Sequence, residues 1–128
     1  MIGRPFIIFS VERHNMSEQA NRHNTAYAES LLIDEDLDYL PVQGMYLGVP
    51  ENSFIVFSQD AFDMIRGIAK EFDQESILMA DENGESELVY LTDGHTEPIG
   101  RFTEMPENAD LTRFVAYSVI NEKVYTCQ

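Results

Sequence analysis
Basic residues are scarce in this sequence. Its 8 Lys+Arg stand against 23 Asp+Glu, for a formal net charge of −15. Binding to a phosphate backbone is driven by Lys and Arg releasing counterions, and eight scattered cations make no basic stripe. The sequence therefore argues against direct nucleic-acid binding, and against anionic membrane surfaces on the same grounds. Cysteine is almost absent. The lone Cys127 rules out a disulfide scaffold and a Cys-rich zinc site. As a nucleophile it sits where a shaped site is rare. No window approaches about 18 continuous apolar residues, so no membrane span is expected. The Phe6–Phe9 run is too short for the apolar region of a signal peptide. Repeats, low-complexity tracts and linkers are missing. The expected compartment is cytoplasmic.

What is present suffices for a core. The chain has 128 residues, 44% of them apolar, with 8 Phe and 6 Tyr. That length fits one domain, residues 1–128, able to bury about two-thirds of its unfolded surface. The acidity has three readings: solubility by self-repulsion, attraction of a cationic ligand or basic partner, and imitation of DNA's charge.

Hydrophobic patterning divides the chain into elements. Pro5 to Val11 reads as a buried strand. A helix is expected from about Ser17 to Leu32, capped by Asn15 or Ser17, with Met16, Ala20, Tyr27 and Leu31 on one face. Asp34-Glu35-Asp36 reads as a solvated loop, since anions oppose the C-terminal helix dipole. Leu40 to Tyr46 is an edge or irregular strand, interrupted by Pro41 and Gly44. Ser53 to Phe57 is a strand. Ser58 or Asp60 then caps a second helix to about Phe72, with Ala61, Ile65, Ile68 and Phe72 on one face. Ser76–Ala80 and Glu87–Leu91 form a hairpin about Asn83-Gly84, a pair able to take positive φ. Residues 92–112 read as loop with a short strand near Phe102. A last hairpin turns at Asn121-Glu122-Lys123. The order β-α-β-β-α-β predicts an α+β fold: a ferredoxin-like antiparallel sheet with two helices on one face and extra C-terminal strands.

Few residues announce chemistry. His14, His23 and His95 lack metal-ligand spacing and read as exposed polar side chains. No phosphate loop or nucleophile elbow occurs. Two patterns are less ordinary. Ser10-Val11-Glu12-Arg13-His14-Asn15 closes the first strand and opens the first helix, where backbone donors converge. Arg13 there is either a carboxylate ligand or a surface arginine. Gly44-Met45-Tyr46-Leu47-Gly48-Val49-Pro50-Glu51-Asn52-Ser53 is either a decorated hairpin loop or a site with Glu51 turned inward.

At these residues the sequence resembles the bacteriophage S-adenosylmethionine (SAM) lyases, long called SAM hydrolases. The shared marks, in chain order, begin with Ser10-x-x-Arg13-x-Asn15, Asn21-Arg22-His23 and Gly44-x-Tyr46. Glu51 before Phe54-Ile55-Val56, and then Gln74-Glu75-Ser76-Ile77-Leu78, follow. Leu88-Val89-Tyr90 and Phe102-Thr103-Glu104-Met105-Pro106 complete the set. The resemblance implies cleavage of SAM to 5′-methylthioadenosine and L-homoserine lactone, with no metal or organic cofactor. It implies a homotrimer, PII-like in shape, with SAM between subunits, that depletes SAM in the infected host cell and counteracts restriction. Tyr46 and Glu51 take the family's catalytic positions. Ser10, Arg13, Asn15, Asn21 and Gln74 are the implied substrate-binding residues. Two non-enzymatic alternatives stand beside it: an acidic anti-restriction decoy that mimics DNA, and a PII-like sensor that binds SAM without cleaving it.

Overall fold
The computed structural model describes residues 2–128. Eight strands form a closed antiparallel barrel in the order β1-β3-β2-β7-β8-β6-β5-β4, and β4 pairs back onto β1. The strands are β1 (Phe6–Phe9), β2 (Tyr39–Tyr46), β3 (Val49–Val56), β4 (Ser76–Ala80), β5 (Glu85–Tyr90), β6 (Thr96–Glu104), β7 (Ala116–Ile120) and β8 (Lys123–Cys127). Helix α1 (Glu18–Asp34) follows β1, and α2 (Phe62–Glu71) follows β3. The expected order of the first six elements is present. The expected architecture is not: this is no open ferredoxin-like, PII-like sheet. β5, β6, β8 and β7 bridge β4 to β2 and close the sheet on itself.

Closure follows from residues that sequence patterning underrated. β6 runs nine residues through Pro98 and Gly100, where a loop was expected, and a register shift at Ser86/Glu87 accommodates it. β2 is not an edge. It pairs with β3 along its whole length and with β7 at residues 43–46. Pro41 lies outside the stretch paired with β7, so its missing N–H interrupts no ladder there. β3 begins at Val49, not Ser53, because Leu47 (φ 50) and Gly48 (φ 79) make a two-residue turn. Both central residues have positive φ, the geometry that matches strand twist. Asn121 (φ 49) and Glu122 (φ 67) do the same between β7 and β8. In the β4–β5 turn only Gly84 takes positive φ; Asp81 Oδ1 holds that turn by accepting from the Asn83 and Glu85 amides.

Period-2 alternation builds two cores. Phe6, Val42, Ile55, Ala80, Phe102, Ile120 and Tyr125 point into the barrel. Phe102 stacks on Tyr125 with centroids 5.0 Å apart, and Phe6 meets Phe102 edge-on at 5.1 Å. The alternate residues Ile7, Phe9, Phe54, Val56 and Ile77 point outward against Ala28, Leu32, Ile65, Ile68 and Ala69 of the helices. Each large side chain buried this way contributes roughly 1.5–3 kcal/mol. Ser17 caps α1, its Oγ accepting from Ala20 N at 3.1 Å. The buried stripe of α1 passes through Ala28 and Leu32, and Met16 and Tyr27 are exposed, against expectation. Asp34 ends the helix instead of lying beyond it. Ahead of α2, Ser58 precedes a 3-10 turn at Gln59–Ala61 without a side-chain cap bond. Among the described residues, no helix is long and apolar enough to cross a membrane.

Candidate active site
One end of the barrel is filled by Phe102, Tyr125 and Ile120 packed with Phe6. The other end is open. The segment after β1, the tip of the β2–β3 hairpin, residues 73–75 with the start of β4, and the end of β5 ring a cavity of about 730 Å³ at this mouth. A second cavity of about 390 Å³ continues into the lumen, sharing Tyr46, Glu51, Ser53, Leu78 and Leu88 with the first. Phe102 and Tyr125 floor it. Both volumes fall in the range of small-molecule sites. The mouth is polar and mostly acidic, and the lumen is mostly apolar.

The hairpin register explains how Tyr46 and Glu51 meet. Gly44 pairs with Glu51, and Tyr46 lies two residues from Gly44 on the same face. A Cβ at position 44 would stand 3.1 Å from the Glu51 carbonyl oxygen, so glycine is what lets β3 lie this close. Val42 and Ile55, on the same face further down, are in the barrel core. Glu51 is therefore turned inward, half-buried, while Tyr46 stays 57% exposed at the rim.

The other expected residues divide by what their side chains touch. Ser10, Arg13, Asn15 and Gln74 line the mouth together with Tyr46 and Glu51. Asn21 does not; it lines the adjoining depression along α1. Its amide is spent on the backbone of Arg13, accepting from N at 3.0 Å and donating to O at 2.9 Å. Buried Ser10 donates to Asn52 O at 2.9 Å and accepts from Glu12 N at 3.0 Å. Gln74 Nε2 donates to Glu12 O at 2.9 Å. Ser10, Asn21 and Gln74 thus pin the loop that carries Arg13. Arg13 itself reaches Asp73, Nη1 to Oδ2 at 3.1 Å. Asn15 is exposed at the mouth.

Sequence reading missed Glu12, Asp73 and Tyr90 as members of this site. Glu12 Oε1 accepts from Asn52 N at 2.7 Å, and Oε2 accepts from Asn52 Nδ2 at 3.2 Å and Thr25 Oγ1 at 3.3 Å. Its only sequence signal was a place in the Ser10–Asn15 pattern. Tyr90 donates from its hydroxyl to Glu97 Oε2 at 2.8 Å and stacks on His95. That hydrogen bond, then burial and the charges of Glu97 and Glu75, push the Tyr90 hydroxyl above its ordinary 10.0.

His14, His23 and His95 are all exposed. His95 bonds Asp93, holding that carboxyl below its ordinary range. Among the described residues, no group of three or more His, Cys, Asp or Glu is arranged to hold a metal. Cys127 lines the lumen, and burial pushes its thiol up, away from nucleophilic character.

A mouth with one guanidinium, several carboxylates and an apolar lumen suits a small molecule carrying a cation, a carboxylate and an apolar body. The model of the S-adenosylmethionine lyase family matches residues 7–128. The chain belongs to this family. As a SAM lyase it cleaves S-adenosylmethionine, and no feature of the chain specifically favours a non-enzymatic decoy or sensor. A search of curated proteins finds no match. SAM meets the stated chemistry: its sulfonium and ammonium are cationic, its carboxylate is anionic, and its adenine presents flat apolar faces.

Proposed function
We propose that this SAM lyase yields 5′-methylthioadenosine and L-homoserine lactone at the barrel mouth, with Tyr46 and Glu51 as catalytic residues. A carboxylate oxygen of the methionyl arm attacks its own γ-carbon while the bond from that carbon to sulfur breaks. The sulfonium leaves as a neutral thioether, and the lactone keeps the ammonium. Charge and atoms balance without a proton transfer. Nucleophile and leaving group already share one molecule, so the protein need only fold the substrate into an attack geometry.

In this reading Glu51 orients the arm through the ammonium or a ribose hydroxyl, and Tyr46 packs beside the reacting centre. Arg13 positions the carboxylate, and Asn15 and Gln74 border it. Ser10 and Asn21 act by holding the Arg13 loop. An anion and a cation neutralise each other as the bond forms, which a poorly hydrated site favours. Leu78, Leu88 and Phe102 supply apolar walls.

The observation that carries the reading is the convergence of Tyr46, Glu51, Ser10, Arg13, Asn15 and Gln74 on one cavity. They come from three separate stretches of chain. A homotrimer with the site between subunits is part of the proposal. Its support is the exposed apolar rim of Tyr46, Leu47, Val49 and Val115, which a neighbouring subunit would cover. The whole chain acts as one domain, in the cytoplasm of a phage-infected cell, where loss of SAM starves restriction.

Mass spectrometry of purified protein with SAM tests the reading. Methylthioadenosine with homoserine lactone is the expected result, and homoserine alone from the first time point would replace lactonisation by hydrolysis. Glu51→Gln should abolish turnover with the fold intact; near-normal activity would remove Glu51 from the mechanism.

A further inference from the structure
Tyr90 ends β5 beside the mouth and is braced on two sides. His95 stacks on its ring, centroids 4.3 Å apart and planes 13° from parallel. Glu97 Oε2 accepts a hydrogen bond from the Tyr90 hydroxyl at 2.8 Å. The His95 ring is in turn tied to Asp93 through Nδ1. The Tyr90 backbone is fixed as well, its amide donating to His95 O at 2.9 Å. These contacts fix the orientation of a ring that also lines the cavity holding Tyr46 and Glu51.

We infer that Tyr90 is a specificity-determining wall of the site, whose ring selects the cationic sulfonium of the substrate over neutral thioethers. The inference rests on the SAM lyase reading of this cavity. Aromatic faces carry negative potential and attract cations placed over them. The hydrogen bond to a carboxylate adds electron density to the Tyr90 ring, and Glu51 and Glu75 line the same cavity. His95 keeps the ring from turning aside. The reaction destroys the sulfonium charge, so the attraction acts on the substrate and is lost on the thioether product. Tyr90 therefore favours binding and product release more than the chemical step. Its removal should raise KM and leave kcat unchanged or higher.

The test compares affinities for sinefungin, in which an amine-bearing carbon replaces the sulfonium, and S-adenosylhomocysteine, the neutral thioether. Calorimetric titrations would use the unmodified protein, Tyr90→Phe, Tyr90→Leu and Tyr90→Gln, each checked for fold by circular dichroism. The unmodified protein should prefer the cation. Loss of the ring should cut that preference by about 2- to 30-fold, the usual range for a cation over an aromatic face. Tyr90→Phe should keep most of it. Either ring-lacking variant that folds decides the matter, and a folded one with the full preference overturns the inference. An unmodified protein that turns over SAM but shows no preference overturns it while leaving the lyase reading in place. One that yields no methylthioadenosine overturns both.

Discussion

Glu12 grips Asn52 twice, taking its backbone N–H on one carboxylate oxygen at 2.7 Å and its side-chain amide on the other at 3.2 Å. The grip ties the segment after β1 to the residue next to Glu51. Thr25 Oγ1 adds a bond from α1. Three elements therefore meet on one carboxylate that sequence reading passed over.

Replacing that carboxylate by its amide should misplace Glu51 before it unfolds the protein. Glu12→Gln puts an NH2 group against a donor on one side. We expect turnover to fall roughly ten- to hundredfold, the scale for displacing a positioning group by about 1 Å. Steady-state kinetics beside urea unfolding would check this. Unchanged kinetics with lowered stability would make the clamp purely structural.

Gly44→Ala should separate activity from stability. The new Cβ would crowd the Glu51 carbonyl at 3.1 Å, forcing β3 to give by a few tenths of an ångström. The loss of unfolded-state entropy on replacing glycine offsets the crowding, so stability should stay within about 1 kcal/mol. Turnover should fall clearly. Full activity would show that the Glu51 side chain tolerates this shift.

Asp73 tempers Arg13, and removing its charge should change binding and chemistry in opposite senses. The pair is exposed, with 37% of the Arg13 side chain and 73% of the Asp73 side chain accessible, so its worth to stability is about 0–1 kcal/mol. In Asp73→Asn the freed guanidinium would grip the substrate carboxylate more tightly. KM should fall, and kcat should fall too, because the gripped carboxylate is the nucleophile. If neither parameter moves, Arg13 does not hold that group.

Stability should decline on the alkaline side. Burial raises the Cys127 thiol from 9.0, and it raises the Tyr39 and Tyr125 hydroxyls from 10.0, with Glu29 and Glu104 adding to the respective shifts. The folded state thus disfavours the ionised forms. Their stabilising contribution is complete below the unfolded values and is lost as pH rises through the folded ones, from about pH 9 upward. Urea midpoints measured against pH, with tyrosinate absorbance, would follow it. Tyr125→Phe keeps the ring that stacks on Phe102 and should flatten the upper part of the decline; an unchanged slope would exclude Tyr125 as a source.

Local pattern was enough to place β1, both helices and the hairpins about Gly84 and Asn121, because hydrophobic period and turn residues act within a few positions of each other. The family marks were also legible, as ordered short segments. Barrel closure was not. In Phe6-Ile7-Ile8-Phe9 both faces are apolar, which serves equally for an open sheet under helices and for a barrel wall with a filled lumen. Alternation assigns a side chain to a face, but says nothing about which strand comes next at the edge. That choice was made by bonds between β2 and β7 and between β6 and β8, whose partners lie 21 to 76 residues apart. The site has the same division. The family resemblance offered Tyr46, Glu51, Arg13 and Gln74 as candidates, each from its own short segment. Only the closed barrel brought them to one mouth and set Tyr90, braced by His95 and Glu97, beside them.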